Sequence, residues 1–317
     1  VGMAARFGTL ADLTALERAV HDGGDGACEL PPKRWRFLAE DAAFRESIGV
    51  PEQSPVSGCF VDKIDVDYER LKLPLLPEDE LQPQQLLALS TIDRALLDSG
   101  GAVSKGGKVA VLIGLSTDME LYRHRARVAM RERLGLTPDS TLTEEQASLL
   151  SHVSNVATST SYTSNIGNII ATRIASTWGF TGPAFSVTQG ANSVYRCLEL
   201  ASKWLARGEV EAAVIAGVDL NGSAEALFTK TRNGVRLSHA QQPAASFDAS
   251  SDGVFVGEGA GALVLKRMAA CDLAAATAPR VYASIDAVAE EPSVEAAAAA
   301  ALATGGVDAS AVECVAL

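Results

Sequence analysis

Residues 182–217 read GPAFSVTQGANSVYRCLELASKWLARGEVEAAVIAG, and the order of elements in this stretch decides the fold. The apolar run Ala184–Val187 predicts a short strand, and Ser193–Arg207 predicts a helix that ends at Gly208. The apolar run Glu211–Gly217 predicts a second, buried strand. Continuous apolar strands separated by a helix are typical of a parallel or mixed sheet with helices on both faces, so we expect an α/β fold.

The same alternation continues on both sides of this stretch. Residues Val1–Phe7 read like a strand and a turn. A helix is predicted over Leu86–Leu97, because Pro83 lies near its first turn and Gly100-Gly101 would end it. Further elements are predicted on both sides: strands at Val109–Gly114, Ala260–Lys266, Val281–Val288 and Val312–Leu317, a helix at Val294–Thr304, and a polar surface loop at Glu290–Ser293.

Composition and charge exclude several classes of function. The chain has 317 residues, 47% hydrophobic and 21% charged, which is an ordinary globular composition. The formal charge is −12, and the basic cluster Arg123–Arg133 alternates with acidic and apolar residues, so we expect no nucleic-acid binding. The Ala-rich stretch Ala296–Ala303 is too short to span a membrane. Five widely spaced cysteines and unpaired histidines indicate reduced thiols, a cytoplasmic chain and no metal site.

The turn at residues 187–193 is where we expect chemistry. It meets the N terminus of a predicted helix, where free N–H groups and the helix dipole favour an anion or a thiolate nucleophile. No Cys or Ser heads this turn. Cys197 follows about one and a half turns along the helix and is predicted to be a buried small hydrophobe. Gly257–Gly261 is similar to a dinucleotide-binding fingerprint, but it precedes a predicted strand and so indicates close backbone packing.

Several short motifs together resemble those of modular β-ketoacyl synthases. They are Val1-Gly2-Met3 with Arg6-Phe7, Pro31-Pro32-Lys33-Arg34-Trp35, Gln82-Pro83-Gln84-Gln85, Gly114 with Asp118-Met119-Glu120, Gly182-Pro183-Ala184-Phe185, and Ser246-Phe247-Asp248 with Gly257–Gly261. The resemblance implies a thiolase-like fold with two similar halves and five αβαβα layers. It implies a first half at residues 1–240, which contains the turn at 187–193, and only the start of a second, incomplete half at 241–317.

One departure from the family pattern decides the implied function. Active members carry a nucleophilic cysteine nine residues after the glycine that corresponds to Gly182, and that position here is Ala191. A methyl group cannot attack a thioester. The stretch Val187–Tyr195 is most similar to the chain length factor domain of polyunsaturated fatty acid synthases. The resemblance therefore implies a cysteine-less homologue that pairs with an active ketosynthase and shapes the acyl tunnel in polyunsaturated fatty acid or polyketide synthesis.

The same resemblance implies the partners and a candidate gate. The partners are an active ketosynthase domain, in a pseudo-symmetric heterodimer, and an acyl carrier protein. Phosphopantetheine enters only as the acyl carrier on a partner domain, and no cofactor of the chain's own is implied. By analogy the stretch 115–122 reaches the dimer interface, so Met119 and Tyr122 are candidate gates of the tunnel; simple packing in the core is the alternative for both.

Two other functions stay open at this point. The chain could be a malonyl-carrier-protein decarboxylase or an atypical ketosynthase, in which Gln189, Asn192 or Ser193 donates hydrogen bonds to an enolate oxyanion. Cysteine-less decarboxylases carry a glutamine at the nucleophile position, but Gln189 lies two residues before it. The chain could also be a purely structural part of a megasynthase.

Overall fold

The structure is a computed structural model, and it describes residues 1–31, 34–51, 54–71, 73, 82–115, 129–137, 139–153, 167–238, 248–271 and 279–315. The strands are β1 (Gly2–Phe7), β2 (Cys28–Glu29), β3 (Ser57–Cys59), β4 (Val109–Leu115), β5 (Ala184–Val187), β6 (Ala212–Asp219), β7 (Val256–Gly257) and β8 (Gly259–Lys266). The α-helices are α1 (Leu13–Asp22), α2 (Ala42–Ser47), α3 (Pro83–Asp98), α4 (Glu144–Val153), α5 (Ile169–Trp178), α6 (Ser193–Arg207), α7 (Ala224–Arg232) and α8 (Val294–Gly305).

A mixed five-stranded sheet forms the centre of the described structure. Its strand order is β1-β8-β6-β4-β5. Strand β4 runs parallel to β5 and β6, whereas β8 runs antiparallel to β6 and β1. A smaller sheet has the order β2-β3-β7. The expected α/β fold with a mixed sheet is confirmed.

Alternating side chains of β4 explain why helices cover both faces of the sheet. Val109, Val111 and Ile113 face the cluster that contains the buried side chains of α3 and α5. Ala110 and Leu112 face the opposite cluster, which contains the buried side chains of α6. Every residue of β4 is buried. A strand with apolar residues on both faces is stable only between two covering layers, as the continuous apolar run in the sequence predicted.

Local sequence signals placed most elements of this core correctly. Strand β5 and helix α6 have the predicted bounds. Helix α6 ends at Gly208, whose φ of 68° is the left-handed conformation that favours glycine. Helix α3 begins at Pro83, three residues before the predicted start, because proline fits the first helical turn.

Two predicted strands are wrong. Residues 279–291, which include Val281–Val288, form neither helix nor strand, and the same holds for 312–315. A strand requires a neighbouring edge that completes its hydrogen-bond ladder, and among the described strands none pairs with either segment. Residues 281–286 instead lie beside the C-terminal part of α6. The last two residues of the second predicted strand lie outside the described residues.

The boundary expected after residue 240 falls within 239–247, which are outside the described residues. Strand β8 comes after that boundary in sequence, yet it lies between β1 and β6 in the central sheet. The division into halves at 1–240 and 241–317 stays a prediction, and any division has to leave β8 with this sheet.

Candidate functional site

A tight turn between β5 and α6, which we call the elbow (residues 187–193), forms the candidate site. Gly190 adopts a φ of 57°, a conformation that glycine tolerates best. The backbone N–H of Gln189 donates to Ser193 Oγ at 2.8 Å, and that hydroxyl donates to the carbonyl of Gly190 at 2.7 Å. Ser193 is buried and its hydroxyl proton is already used within the turn. Its role is therefore to hold the elbow.

Two glycines allow the N terminus of α6 to lie directly on the sheet. A Cβ atom at Gly217 in β6 would lie 2.5 Å from Val194 Cγ2, and a Cβ at Gly114 in β4 would lie 3.0 Å from the backbone N of Val194. Real Cβ atoms do not approach other heavy atoms at 2.5 Å, so a side chain at Gly217 would push the helix away. The sheet thus fixes the position of the elbow through backbone contact.

The elbow carries no thiol. Ala191 is exposed beside the N terminus of α6. Cys197 is fully buried against the sheet, in the cluster that contains Ala110 and Leu112. Burial raises the pKa of the Cys197 thiol to about 11, because the apolar surroundings disfavour the thiolate. The prediction that Cys197 is a buried small hydrophobe is confirmed, and it cannot serve as a nucleophile at the elbow.

A carboxylate that the sequence did not point to lies against the elbow. Glu290 Oε1 accepts a hydrogen bond from Gln189 Nε2 at 2.9 Å and another from Asn192 Nδ2 at 2.7 Å. All three side chains are exposed. The sequence predicted residues 290–293 only as a surface loop, and no local pattern connects Glu290 with residues about one hundred positions earlier. The two amides that could donate to an oxyanion therefore hold an internal carboxylate instead.

An apolar cavity of about 720 Å³ adjoins the elbow. It lies against β1, β6 and β8, on the sheet face that also carries α6, and Ala191 lines it. Its larger apolar lining side chains are Met3, Phe7, Leu13, Leu115, Val194, Ile215, Val218 and Leu263. A cavity of this volume and lining has the character of a site for hydrocarbon.

A buried ion pair links two of the motifs quoted above. The Glu258 side chain is fully buried, and its Oε1 accepts from Arg34 Nη2 and from the N–H of Gly222, the latter at 3.0 Å. Its Oε2 accepts from the N–H of Val61 at 3.0 Å. The indole N–H of Trp35 donates to the carbonyl of Gly222 at 2.8 Å. The sequence signal for this arrangement was a charged residue within an otherwise small and apolar run.

Some predicted site residues cannot be placed. Met119 and Tyr122 lie outside the described residues.

Within the described ranges, no three His, Cys, Asp or Glu side chains are grouped so that they could hold a metal ion. Among the described helices, none combines the length and the apolar character needed to cross a bilayer. Gly257–Gly261 leads into β8 and not into a helix, so the arrangement required of a dinucleotide fingerprint is not present there.

Comparison with known sequences identifies the family. The profile of the β-ketoacyl synthase N-terminal domain matches residues 1–270. A polyunsaturated fatty acid synthase protein of Thraustochytrium sp. is 53% identical over 287 residues, which are 90% of this chain and 13% of that protein. The spectinabilin polyketide synthase protein NorA' of Streptomyces orinoci is 28% identical over 273 residues, which are 84% of this chain and 6% of that protein. The chain thus spans a small part of the curated relatives it matches.

Comparison with solved structures identifies the fold. The structure named PfaC Keto synthase-Chain length factor matches with a TM-score of 0.78 and 31% identity, over 97% of this chain and 33% of that chain. The ishigamide ketosynthase/chain length factor matches with a TM-score of 0.61 and 20% identity, over 97% of this chain and 73% of that chain, and at that identity shows the fold alone. The chain belongs to the β-ketoacyl synthase N-terminal domain family and has the thiolase-like fold of ketosynthases.

Proposed function

We propose that this chain is part of a chain-length-factor-like ketosynthase homologue that pairs with an active ketosynthase in polyunsaturated fatty acid or polyketide synthesis. The observation that carries the proposal is Ala191, whose methyl group lies at the elbow where relatives with a nucleophile need a thiolate. The relative at 53% identity is named as a polyunsaturated fatty acid synthase protein, and the structure at 31% identity is named as a keto synthase-chain length factor. Both names support the same role.

Ser193 in the elbow and the nearby Cys197 also argue against covalent catalysis at this site. The Ser193 hydroxyl is buried and bonded within the turn. The Cys197 thiol is buried, and its raised pKa leaves almost no thiolate near neutral pH. An acyl group would therefore find neither an activated oxygen nor an activated sulfur here.

The edge of the central sheet at β5 supports pairing with a ketosynthase. Strand β5 is the last strand in the described order and pairs there only with β4. Helix α6 follows directly and exposes 57% of Tyr195. No described strand pairs with the outer edge of β5, where the N–H of Ser186 donates to Asn168 Oδ1 at 2.8 Å. A strand edge of this kind beside an exposed aromatic side chain is a suitable surface for a second protein. The partner in this proposal is an active ketosynthase domain that meets the chain at β5 and α6.

The apolar cavity supports a role in shaping an acyl tunnel. Its lining is mainly apolar and includes Ala191, so it would accept hydrocarbon with little loss of polar contacts. Met119 and Tyr122 stay in the proposal as gates of that tunnel. An acyl carrier protein would deliver the chain on phosphopantetheine, so the proposal requires no cofactor bound by this chain, and it places the complex in the cytoplasm.

Acyl labelling of the full-length synthase tests the absence of covalent catalysis. We expect incubation with a radiolabelled acyl thioester, followed by peptide mapping, to give an adduct on the partner ketosynthase and none on residues 187–193. An adduct on any residue of the elbow would refute the proposal. Co-purification of the two proteins tests the pairing, and a chain that stays separate from the ketosynthase at micromolar concentration would refute that part.

One observation favours malonyl decarboxylation as a second candidate function. The amides of Gln189 and Asn192 already hold the carboxylate of Glu290 at the N terminus of α6, so the elbow is able to bind a carboxylate. Release of carbon dioxide from a malonyl-carrier protein, abolished by Gln189→Ala or Asn192→Ala, would support this function. No release above the rate of the substrate alone would exclude it.

A further inference from the structure

An irregular segment at residues 279–293, which we call the strap, runs along α6. Near its start, the Tyr282 hydroxyl donates to both carboxylate oxygens of Asp98, at 3.0 and 2.9 Å. Residues 283–286 then line a small cavity of about 270 Å³ together with Leu205 and Ala206, at the C-terminal end of α6. Near its end, Glu290 reaches the N-terminal end of the same helix. The strap therefore passes along the helix from its last turn to its first.

The length of the strap agrees with this path. Eight residue steps separate Tyr282 from Glu290, and an extended chain covers about 27 Å in eight steps. The fifteen residues of α6 extend over about 22 Å. Because an extended strap is only slightly longer than the helix, it has little slack between its two ends. Tyr282 fixes one end and Glu290 fixes the other.

We propose that Glu290 is a latch that holds the strap closed over the elbow. Its carboxylate takes both amide donors of Gln189 and Asn192 and lies where the helix N terminus favours a negative charge. While the latch is closed, one N–H of each amide is bonded to Glu290, and a second negative charge beside Glu290 is repelled. Since the three side chains are exposed, the latch is weak enough to open when a stronger competitor arrives.

This role of Glu290 rests on the contacts of the strap and does not depend on pairing with a ketosynthase. It also assigns a function to Gln189 and Asn192 in a chain without a nucleophile. Both residues are positioning residues for the strap. If malonyl decarboxylation occurs at the elbow, the latch has to open before the substrate carboxylate enters.

A reporter cysteine at the elbow tests the latch. The variant Ala191→Cys is prepared in the full-length protein alone, with Glu290→Gln, and with Glu291→Gln as a matched control. Glu291 is the next carboxylate in the sequence and makes neither of the two bonds to the elbow. The readout is the rate of alkylation at position 191 by iodoacetamide at pH 7, followed by peptide mass spectrometry because the chain contains five other cysteines.

Removal of the Glu290 charge stabilises a thiolate at the helix N terminus, so we expect alkylation about fivefold faster with Glu290→Gln. The Glu291→Gln control should stay within about twofold of the Ala191→Cys variant alone. Equal rates in all three proteins would overturn the proposal. Hydrogen exchange is a second measurement that needs no cysteine. The substitution Glu290→Ala removes the oxygen that accepts both bonds, so it should speed exchange in residues 287–293. Unchanged exchange there would also overturn the latch, whereas acyl labelling of the elbow bears only on the proposed function.

Discussion

The substitution Glu258→Gln should destabilise the fold strongly although it removes a single charge. Glu258 accepts three hydrogen bonds through two carboxylate oxygens, from Arg34, from the N–H of Gly222 and from the N–H of Val61. Its side chain is fully buried, and that of Arg34 is 23% exposed. The glutamine amide has one oxygen and one NH₂ group, so it can replace only part of this set of acceptors.

The magnitude follows from the donors that lose their partner. If the amide oxygen takes the place of Oε1, the NH₂ group faces the N–H of Val61, and a buried donor without an acceptor costs about 1–3 kcal/mol. Arg34 also loses its carboxylate, and breaking a buried ion pair costs about 3–5 kcal/mol. Partial exposure lets water compensate Arg34 in part. We therefore expect the free energy of unfolding to fall by about 3 kcal/mol.

Urea unfolding followed by circular dichroism measures this loss. With a denaturant slope of about 3 kcal/mol per M, the midpoint should fall by about 1 M. The control is Glu209→Gln, which removes a carboxylate from an exposed ion pair with Arg207 at 3.5 Å. Such a pair contributes less than about 1 kcal/mol, so its midpoint should hardly move. If both variants unfold at the same urea concentration, the buried network does not hold the fold together.

Further predictions concern the elbow, the buried thiol and the strap. Gly217→Ala should lower the free energy of unfolding by about 1–3 kcal/mol, whereas Gly257→Ala, with open space around its Cβ position, should leave the thermal unfolding temperature unchanged. Cys197 should resist maleimide at pH 7.5 until urea unfolds the chain, since its pKa of about 11 suppresses the thiolate. Tyr282→Phe should speed hydrogen exchange in residues 279–286. Burial, and then Asp98, raise the pKa of the Tyr282 hydroxyl above its usual value of 10. The hydrogen bond from Tyr282 to Asp98 therefore stabilises the strap fully below pH 10, and this contribution is lost as the pH rises through the raised pKa.

Local patterns were sufficient for the core and for the burial of Cys197. The bounds of β5 and α6 follow from an apolar run, a short turn and a terminal glycine, all within a few residues of one another. The assignment of Ala191 to the nucleophile position rests on a count along one motif and stays a prediction. The burial of Cys197 follows from its position on the apolar face of α6. Such signals are local, so a single sequence carries them.

Contacts between distant segments were not predicted. Arg34 and Glu258 are 224 positions apart, and Gln189 and Glu290 are 101 positions apart. No periodicity or spacing joins such residues, since their approach depends on how the sheet brings the segments together. The wrong strand at Val281–Val288 has the same origin. An apolar run shows that a segment is suited to a sheet, but it does not show whether a neighbouring strand is present.

The elbow is held in place by contacts that do not depend on the side chain at position 191. Gly114 and Gly217 admit the helix to the sheet, and Ser193 closes the turn. None of these contacts involves the side chain at position 191, which is exposed. These contacts therefore hold β5 and α6 in place whether position 191 carries an alanine or another side chain. The surface proposed for the ketosynthase partner is built from β5 and α6. The proposed loss of the nucleophile is therefore physically compatible with preservation of that surface.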